Sequence, residues 1–362
     1  MMLYAVVAAM AMMASCYLLF RRANAIAPYI TSPVRLRRWT AAFFAALALC
    51  HLWYLPMFFL PSSDNVMLGF HIAGLIDCLT VIPLPIAVLL VMLQDRRRPL
   101  WPVWVMMTPF VAGRLWCIVT RSDALLPILF GCFMLMCIGL IVYMVRALRQ
   151  YGVWLRDNYA DLEHKEVWQG FVVLAIMQME FLVYSFDLGE LIYEYAMEVT
   201  NIVLICYLLW RIETLSDLSI PVNNTEEEVE DNHHSLSMRN RSALPLGSAK
   251  NIGPLLKQHC EESQLYLQND ISLTELAKQI GTNRVYLSQH FAMQGTTYNA
   301  YINGLRIQHF INLFHEAAAT HQSTTVKQLA YQSGFRSYGT FNLAFKQSMG
   351  MTATEWMRTM TE

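Results

Sequence analysis

The sequence predicts an all-α chain in two parts: a seven-helix transmembrane bundle followed by a soluble, tandem helix-turn-helix domain. Three observations carry that expectation. Of its 362 residues, 56% are hydrophobic and only 15% are charged, against a usual charged share of about 25%. The deficit is local: residues 1–210 hold a single lysine, Lys165, whereas 211–362 have the composition of an ordinary soluble chain. The second part shows helical periodicity without strand alternation, and it repeats a pattern within itself.

A spanning helix needs about 20 mostly apolar residues. Seven runs qualify, at 2–20, 39–60, 67–93, 100–120, 124–146, 168–186 and 191–210. The first is not read as a signal peptide, because no Lys or Arg precedes it; Arg21 and Arg22 follow it. Pro83 and Pro85 predict a kink in the third span. A retinal protein is excluded, since a Schiff base needs a buried lysine and no span contains one. The eight cysteines lie almost entirely in spans without a Cys-x-x-Cys pair and are read as packing residues.

Orientation follows from the short loops. One side collects Arg21, Arg22, Arg35, Arg37, Arg38, Arg96, Arg97, Arg98, Arg146, Arg149, Arg156 and Lys165, and the other has Arg121 alone, a ratio of 12 to 1. The N-terminus is therefore expected outside, and everything after the seventh span in the cytoplasm, as in a multi-pass protein of a bacterial inner membrane. Within the spans stand His51, His71, Asp77, Arg114, Glu180, Glu194 and Glu198. Ionisable groups are costly in hydrocarbon and face cavities or one another. All seven fall in the outer half or near the midplane, and Glu194 and Glu198 share a helix face. Two readings stay open. Asp77, Arg114, Glu180, Glu194 and Glu198 line an outward-opening sensory pocket, or an Asp77–Arg114 pair orders the bundle and the glutamates reach water. The spacing supports no metal site.

Residues 1–210 thus form a membrane domain, 211–250 an acidic linker with "NNTEEEVEDNHHS" at 223–235, and 251–362 a soluble domain. The linker composition predicts a disordered tether. In the soluble part, "SLTELAKQIGTNRVYLSQHF" (272–291) and "TVKQLAYQSGFRSYGTFNLAF" (325–345) match in design. Leu276–Ala277 corresponds to Leu329–Ala330, Gly281 to Gly334, and Leu287 and Phe291 to Phe341 and Phe345. Each unit is a small helix, a glycine turn and a second helix. An i,i+4 apolar pair turns each second helix toward the core. That leaves Arg284, Val285, Ser288 and Gln289 outward in the first unit, and Tyr338, Asn342 and Lys346 in the second. Gln and Asn pair bidentately with adenine and Ser contacts several bases, while Arg336, Ser337 and Thr340 suit phosphates. From 284 to 358 six Lys or Arg face two Glu, a modest surplus. Two such units in tandem, joined by the helix 298–317, point to DNA binding.

The tail resembles the AraC-type family of bacterial transcription regulators over about 110 residues. The residues that carry the resemblance are Gly334–Phe335, Phe341, Phe345–Lys346, Gly350, Thr352 and Trp356; Tyr286, Leu287, Ser288 and Phe291; and Tyr301, Ile302, Asn303, Leu305 and Arg306. The chain departs from the family pattern at Ala353, where a proline is usual, at Leu343, where an arginine is usual, and in a turn after Phe291 that is one residue short. The resemblance implies a transcription regulator whose partners are promoter DNA and RNA polymerase. The membrane half adds the lipid bilayer, a small ligand or membrane partner and, as an open possibility, a second copy of the chain. No nucleophile–base pair, phosphate loop or metal motif is present, so neither catalysis nor a cofactor is expected. A transporter or channel with a regulatory cytoplasmic domain is the alternative from another class.

The charge asymmetry generates a first prediction. Alkaline phosphatase fused after Trp210 is expected to be inactive and a cytoplasmic reporter at that point active; periplasmic phosphatase activity there would reverse the orientation.

Overall fold

The computed structural model describes residues 2–21, 23–28, 30–55, 63–170, 190–218, 252–320 and 324–361. No strand forms among them; one isolated antiparallel bridge joins Tyr159 and Ser272. The chain divides into two compact units. One comprises Met1–Tyr151 and His164–Ile220, the other Gly152–Glu163 and Pro221–Glu362.

The first unit is built from α1 (Met2–Phe20), α2 (Val34–Tyr54), α3 (Ser63–Leu79), α4 (Pro83–Met92), α5 (Trp101–Thr120), most of α6 (Leu126–Asn158) and α7 (Glu190–Thr214). Helix α1 packs along α2 and α7, α2 against α4, and α3 against α5. Among the described residues five helical stretches are long and apolar enough to cross a membrane: Met2–Phe20, Asp64–Met92, Trp101–Thr120, Leu126–Asn158 and Tyr195–Thr214. The expected count of seven is not reached. The second run forms α2, whose first turns carry Arg35, Arg37 and Arg38 and whose described helix ends at Tyr54. The sixth run, 168–186, falls almost wholly outside the described residues, as does most of the expected 211–250 tether; the first residues of that tether instead continue the last helix to Thr214 and are buried.

The kink expected at Pro83 is a break between α3 and α4 over Thr80–Ile82. Pro83 has no N–H to give, and the Ile82 N–H reaches back to the Asp77 carbonyl at 3.0 Å, one residue further than a helix allows. Lipid-compatible surfaces are plain on α5 and α6, where Trp116, Val119, Ile128, Leu135 and Ile138 are exposed. At 33 residues, α6 is about 50 Å long, well beyond a hydrocarbon core of about 30 Å.

One feature of this unit has no signal in the sequence. Glu213, at the end of α7, accepts from the backbone N–H groups of Ala25 and Ile26 at 3.1 and 2.8 Å and from the Tyr17 hydroxyl. Asn24 donates to the Glu213 carbonyl at 3.0 Å, Ser32 to that of Ile212 at 2.6 Å, and Arg37 to Asn24 Oδ1 at 2.9 Å. Just beyond, Gln94 donates to the Ser216 carbonyl at 3.0 Å and accepts from Leu218 N–H at 2.8 Å. The last helix is thus held at its exit from the bundle by the loops after α1 and α4.

The second unit contains α8 (Ile252–Leu256) continuing into a π-turn (Lys257–Glu262), a 3₁₀ turn (Leu265–Leu267), α9 (Leu273–Gln279), α10 (Arg284–Met293), α11 (Tyr298–Ala319), α12 (Val326–Gln332), α13 (Tyr338–Met349) and α14 (Ala353–Thr361). The internal repeat is real in three dimensions. Helices α9 and α12 each open on a capping box, Ser272 with Glu275 and Thr325 with Gln328, which satisfies N–H groups that a helix start leaves orphaned. Each unit then has its own apolar cluster. The first gathers Leu276, Ala277, Leu287 and Phe291 with Ile252, Leu256 and Tyr266. The second gathers Leu329, Ala330, Phe341 and Phe345 with Phe335 and Trp356. Helix α11 serves both, giving Tyr298 and Ile302 to the first cluster and Ile307, Phe310 and Phe314 to the second. Ala353 occupies the first turn of α14, fully buried, behind a Thr352–Glu355 cap. A proline suits such a position, and alanine fills it with no loss of backbone geometry.

The two halves meet at Arg306. Its side chain is 0% exposed. Nε donates to the Tyr266 carbonyl at 2.8 Å and Nη2 to that of Gln268 at 2.7 Å, while the guanidinium lies 5.6 Å from the centre of the Phe335 ring. Burial draws its pKa down; the charges of Tyr298, Asp161 and Asp270 push it up, and a guanidinium keeps its proton in any case. Beside Phe335, Gly334 holds φ at +88°, and a methyl group there would come within 2.8 Å of Leu267 Cα. The second glycine turn can therefore rest directly on backbone of the first half.

Arg306→Met keeps the volume and removes both donors. It is expected to destabilise the second unit by about 1–3 kcal/mol for each orphaned carbonyl, read by urea-dependent hydrogen exchange at Leu329–Ala330 in the detergent-solubilised full chain. Lys278→Met, on the exposed side of α9, should stay within about 0.5 kcal/mol. Equal effects would remove Arg306 from its central place.

Candidate nucleic-acid interface

Helices α10 and α13 start on side-chain caps. Asn283 Oδ1 accepts from Tyr286 N–H at 2.9 Å, and Ser337 Oγ accepts from Thr340 N–H at 3.2 Å. Leu287 and Phe291 turn α10 inward, and Phe341 and Phe345 do the same for α13; all four are buried. None of the positions expected outward is buried. Val285 is 54% exposed, Gln289 and Lys346 are exposed, and Arg284, Ser288, Tyr338 and Asn342 are half-buried. Leu343, standing where the family has an arginine, is 61% exposed. An apolar side chain there can touch a thymine methyl but cannot donate to a guanine.

Several of the expected contact residues already hold a partner. Ser337 is the cap of α13, and its hydroxyl lies 3.1 Å from that of Thr340. Tyr338 leans on the second apolar cluster, its ring 5.9 Å from that of Phe341. Arg336 pairs with Asp270 at 2.9 Å on the surface, an exposed pair worth at most about 1 kcal/mol and easily given up. His290, half-buried on α10, has its pKa pushed below the ordinary value by burial and is neutral at pH 7. The positive character of the face comes instead from Arg284, Arg336, Lys346 and the N-terminal ends of α10 and α13, where backbone N–H groups and the helix dipole favour anions.

Two expected contacts reach a segment that sequence reasoning did not connect with this domain. Arg284 Nε donates to Asn158 Oδ1 at 2.8 Å, and the Thr340 hydroxyl to Asp161 Oδ1 at 3.4 Å. Asn158 to Asp161 lie more than 120 positions upstream of Arg284 in sequence, so no local pattern could have revealed the pairing.

The charged residues of the spans form specific contacts, though not the expected Asp77–Arg114 pair. Asp77 accepts from Trp53 Nε1 at 3.2 Å and from the Tyr54 hydroxyl at 2.6 Å. Arg114 Nη1 approaches His71 Nδ1 at 3.3 Å, and His71 Nε2 lies 2.8 Å from Asp123, a residue the sequence reading passed over. Glu198 meets His51 at 3.3 Å, both largely buried. Gly74 makes room for the guanidinium, since a methyl group there would sit 2.9 Å from Arg114 Cζ. Aromatic and imidazole donors on α2 thus take the acids of α3 and α7, which leaves Arg114 to His71. Glu194 lies one turn before Glu198 on α7 with its side chain outside the described set, and Glu180 lies outside the described residues altogether.

Residues 276–359 match the family model described as a helix-turn-helix domain, which is of AraC type. The TCP pilus virulence regulatory protein of Vibrio cholerae serotype O1 is 30% identical over 87 residues, 24% of this chain and 30% of that one. An uncharacterised HTH-type transcriptional regulator of Staphylococcus aureus is 28% identical over 102 residues, 28% of this chain and 13% of its own length. The chain therefore spans under a third of these relatives. No solved structure matches it. The C-terminal part is a helix-turn-helix domain related to transcription regulators, and several apolar helices suited to a membrane precede it.

The geometry separates two kinds of contact. In the full chain held in nanodiscs, Asn342→Ala should relax preference at one base pair, at a cost of about 1–3 kcal/mol there. Lys346→Ala should weaken all duplexes alike and flatten the salt dependence by about one unit of slope. Equal losses on specific and random DNA for both variants would show the sorting to be wrong.

Proposed function

We propose that this protein is a membrane-bound, sequence-specific DNA-binding transcription regulator, in which a signal met in or outside the bilayer changes promoter binding in the cytoplasm. The observation that carries it is the pair of capped helices α10 and α13, each with a buried apolar pair and a mostly polar outer face, in one chain with five helices, among the described residues, long and apolar enough to cross a membrane. Such a pair reads successive major-groove turns, about 34 Å apart along the duplex. RNA polymerase is the partner such a regulator would engage at its promoter. The contacts of Asp77, Arg114 and Glu198, together with Glu180 and Glu194, are the proposed sensory site. A ligand shifts such a bundle only by binding two arrangements unequally, and buried groups that trade hydrogen-bond partners provide such arrangements.

Mapping the genomic DNA bound by the full-length protein in its host tests the reading. Discrete peaks upstream of genes are expected, lost in a Ser288→Ala, Gln289→Ala, Asn342→Ala variant that still inserts. Glu194→Gln, Glu198→Gln and Arg114→Gln should abolish or lock the response to the native signal without changing protein level. Uniform background occupancy would sink the regulator reading, and three responsive variants would leave the span charges a structural role only.

A further inference from the structure

The second unit is not made of the C-terminal region alone. It includes Gly152–Glu163, the end of α6 and the residues after it. This segment is fastened to the helix-turn-helix domain at many points. Asn299 Nδ2 donates to the carbonyls of Tyr159 and Ala160 at 3.1 and 2.6 Å, and Asn303 Nδ2 to that of Ala160 at 3.2 Å. Ala160 is buried within the first apolar cluster, and Tyr159 bridges Ser272, the cap of α9.

Two of its polar side chains, Asn158 and Asp161, end on the recognition helices. Asn158 Oδ1 accepts a hydrogen bond from Nε of Arg284, the first residue of α10, and Asp161 Oδ1 accepts one from the hydroxyl of Thr340 in the first turn of α13. An oxygen acceptor on an arginine and a carboxylate at a helix N-terminus are what a DNA phosphate would supply at these places. We propose that Asn158–Glu163 is a built-in competitor for DNA. Docked, it withholds the N-terminal ends of both recognition helices, and duplex binds when it leaves. The proposal rests on the DNA-binding reading above.

The docking is also incomplete in a telling way. Asp161 is 3% exposed, yet its Oδ2 has no hydrogen-bond partner among the described residues. The nearby cation, Arg306, is committed to the carbonyls of Tyr266 and Gln268. A buried carboxylate oxygen left without a donor opposes the docked state. Its release restores hydration to Asp161 and frees Arg284 and Thr340 together.

The test uses the full chain in phosphatidylcholine nanodiscs and duplexes selected from a random pool. Asn158→Ala with Asp161→Ala should bind the selected duplex about tenfold more tightly, the factor for a competent state populated about one time in ten. Glu262→Gln, which removes the same charge from an exposed site in the same unit, should leave affinity within about twofold. In the wild type, the amides of residues 159–163 should exchange faster with duplex bound than without. Unchanged or weaker binding by the double variant, with those amides equally protected in the presence of DNA, would overturn the competitor role. Should the double variant fold poorly, the wild-type exchange decides alone. If neither wild type nor variant selects any duplex, the DNA-binding reading itself falls, and this one with it.

Discussion

The soluble unit depends on one buried cation. Arg306 sits on α11 between the two apolar clusters and ties the backbone of Tyr266 and Gln268, on one side, to the ring of Phe335 on the other. Each helix-turn-helix alone is too small to bury a sizeable core. Joined through α11, the two share one spine and a fixed register. A guanidinium suits the place because its planar fork meets two carbonyls while its face lies on an aromatic ring; a lysine could not do both. The glycine turn at 334 follows from the same closeness, since only a residue without Cβ lets Phe335 approach from the backbone of Leu267.

The first unit, with helices apolar enough to cross a membrane, solves a different problem. In an apolar bundle a charge must find a partner inside, and here the partners are chosen across helices. Tryptophan and tyrosine of α2 hold the carboxylate of α3, and a histidine of α2 meets the glutamate of α7. Each contact is a hydrogen bond between side chains on different helices. At the opposite end of α7, Glu213 collects backbone donors from the loop after α1. A shift of α7 therefore alters partners at both ends.

The repeat was legible because it is local. Leu276–Ala277, a glycine and an i,i+4 apolar pair recur at fixed spacing, and spacing is what a sequence displays. Apolar length likewise marked five helices, among the described residues, that are long and apolar enough to cross a membrane, and Pro83 marked the break between α3 and α4. What stayed hidden was tertiary choice. Asp77 had a plausible partner in Arg114, but Trp53 and Tyr54 offered donors at shorter reach, and nothing in the chain order ranks them. Asn158 and Asp161 read as ordinary loop residues between spans, because their partners lie far along the chain. Ser337 and Tyr338, read as contact residues, also serve the cap and the apolar cluster, a second duty that composition does not reveal.

The energetics of the docked segment suit a switch rather than a lock. Moving an equilibrium from one part in ten to nine parts in ten takes a factor of about 80, or about 2.6 kcal/mol. Net hydrogen bonds contribute about 0.5–1.5 kcal/mol each, and an unpaired buried acceptor costs about 1–3. The bonds from Arg284, Thr340, Asn299 and Asn303, set against the orphaned oxygen of Asp161, are of a size to leave a margin of about 1–2 kcal/mol, which is what an open population of about one in ten requires. A deeper margin would bar DNA altogether, and a shallower one would leave the recognition helices open at all times.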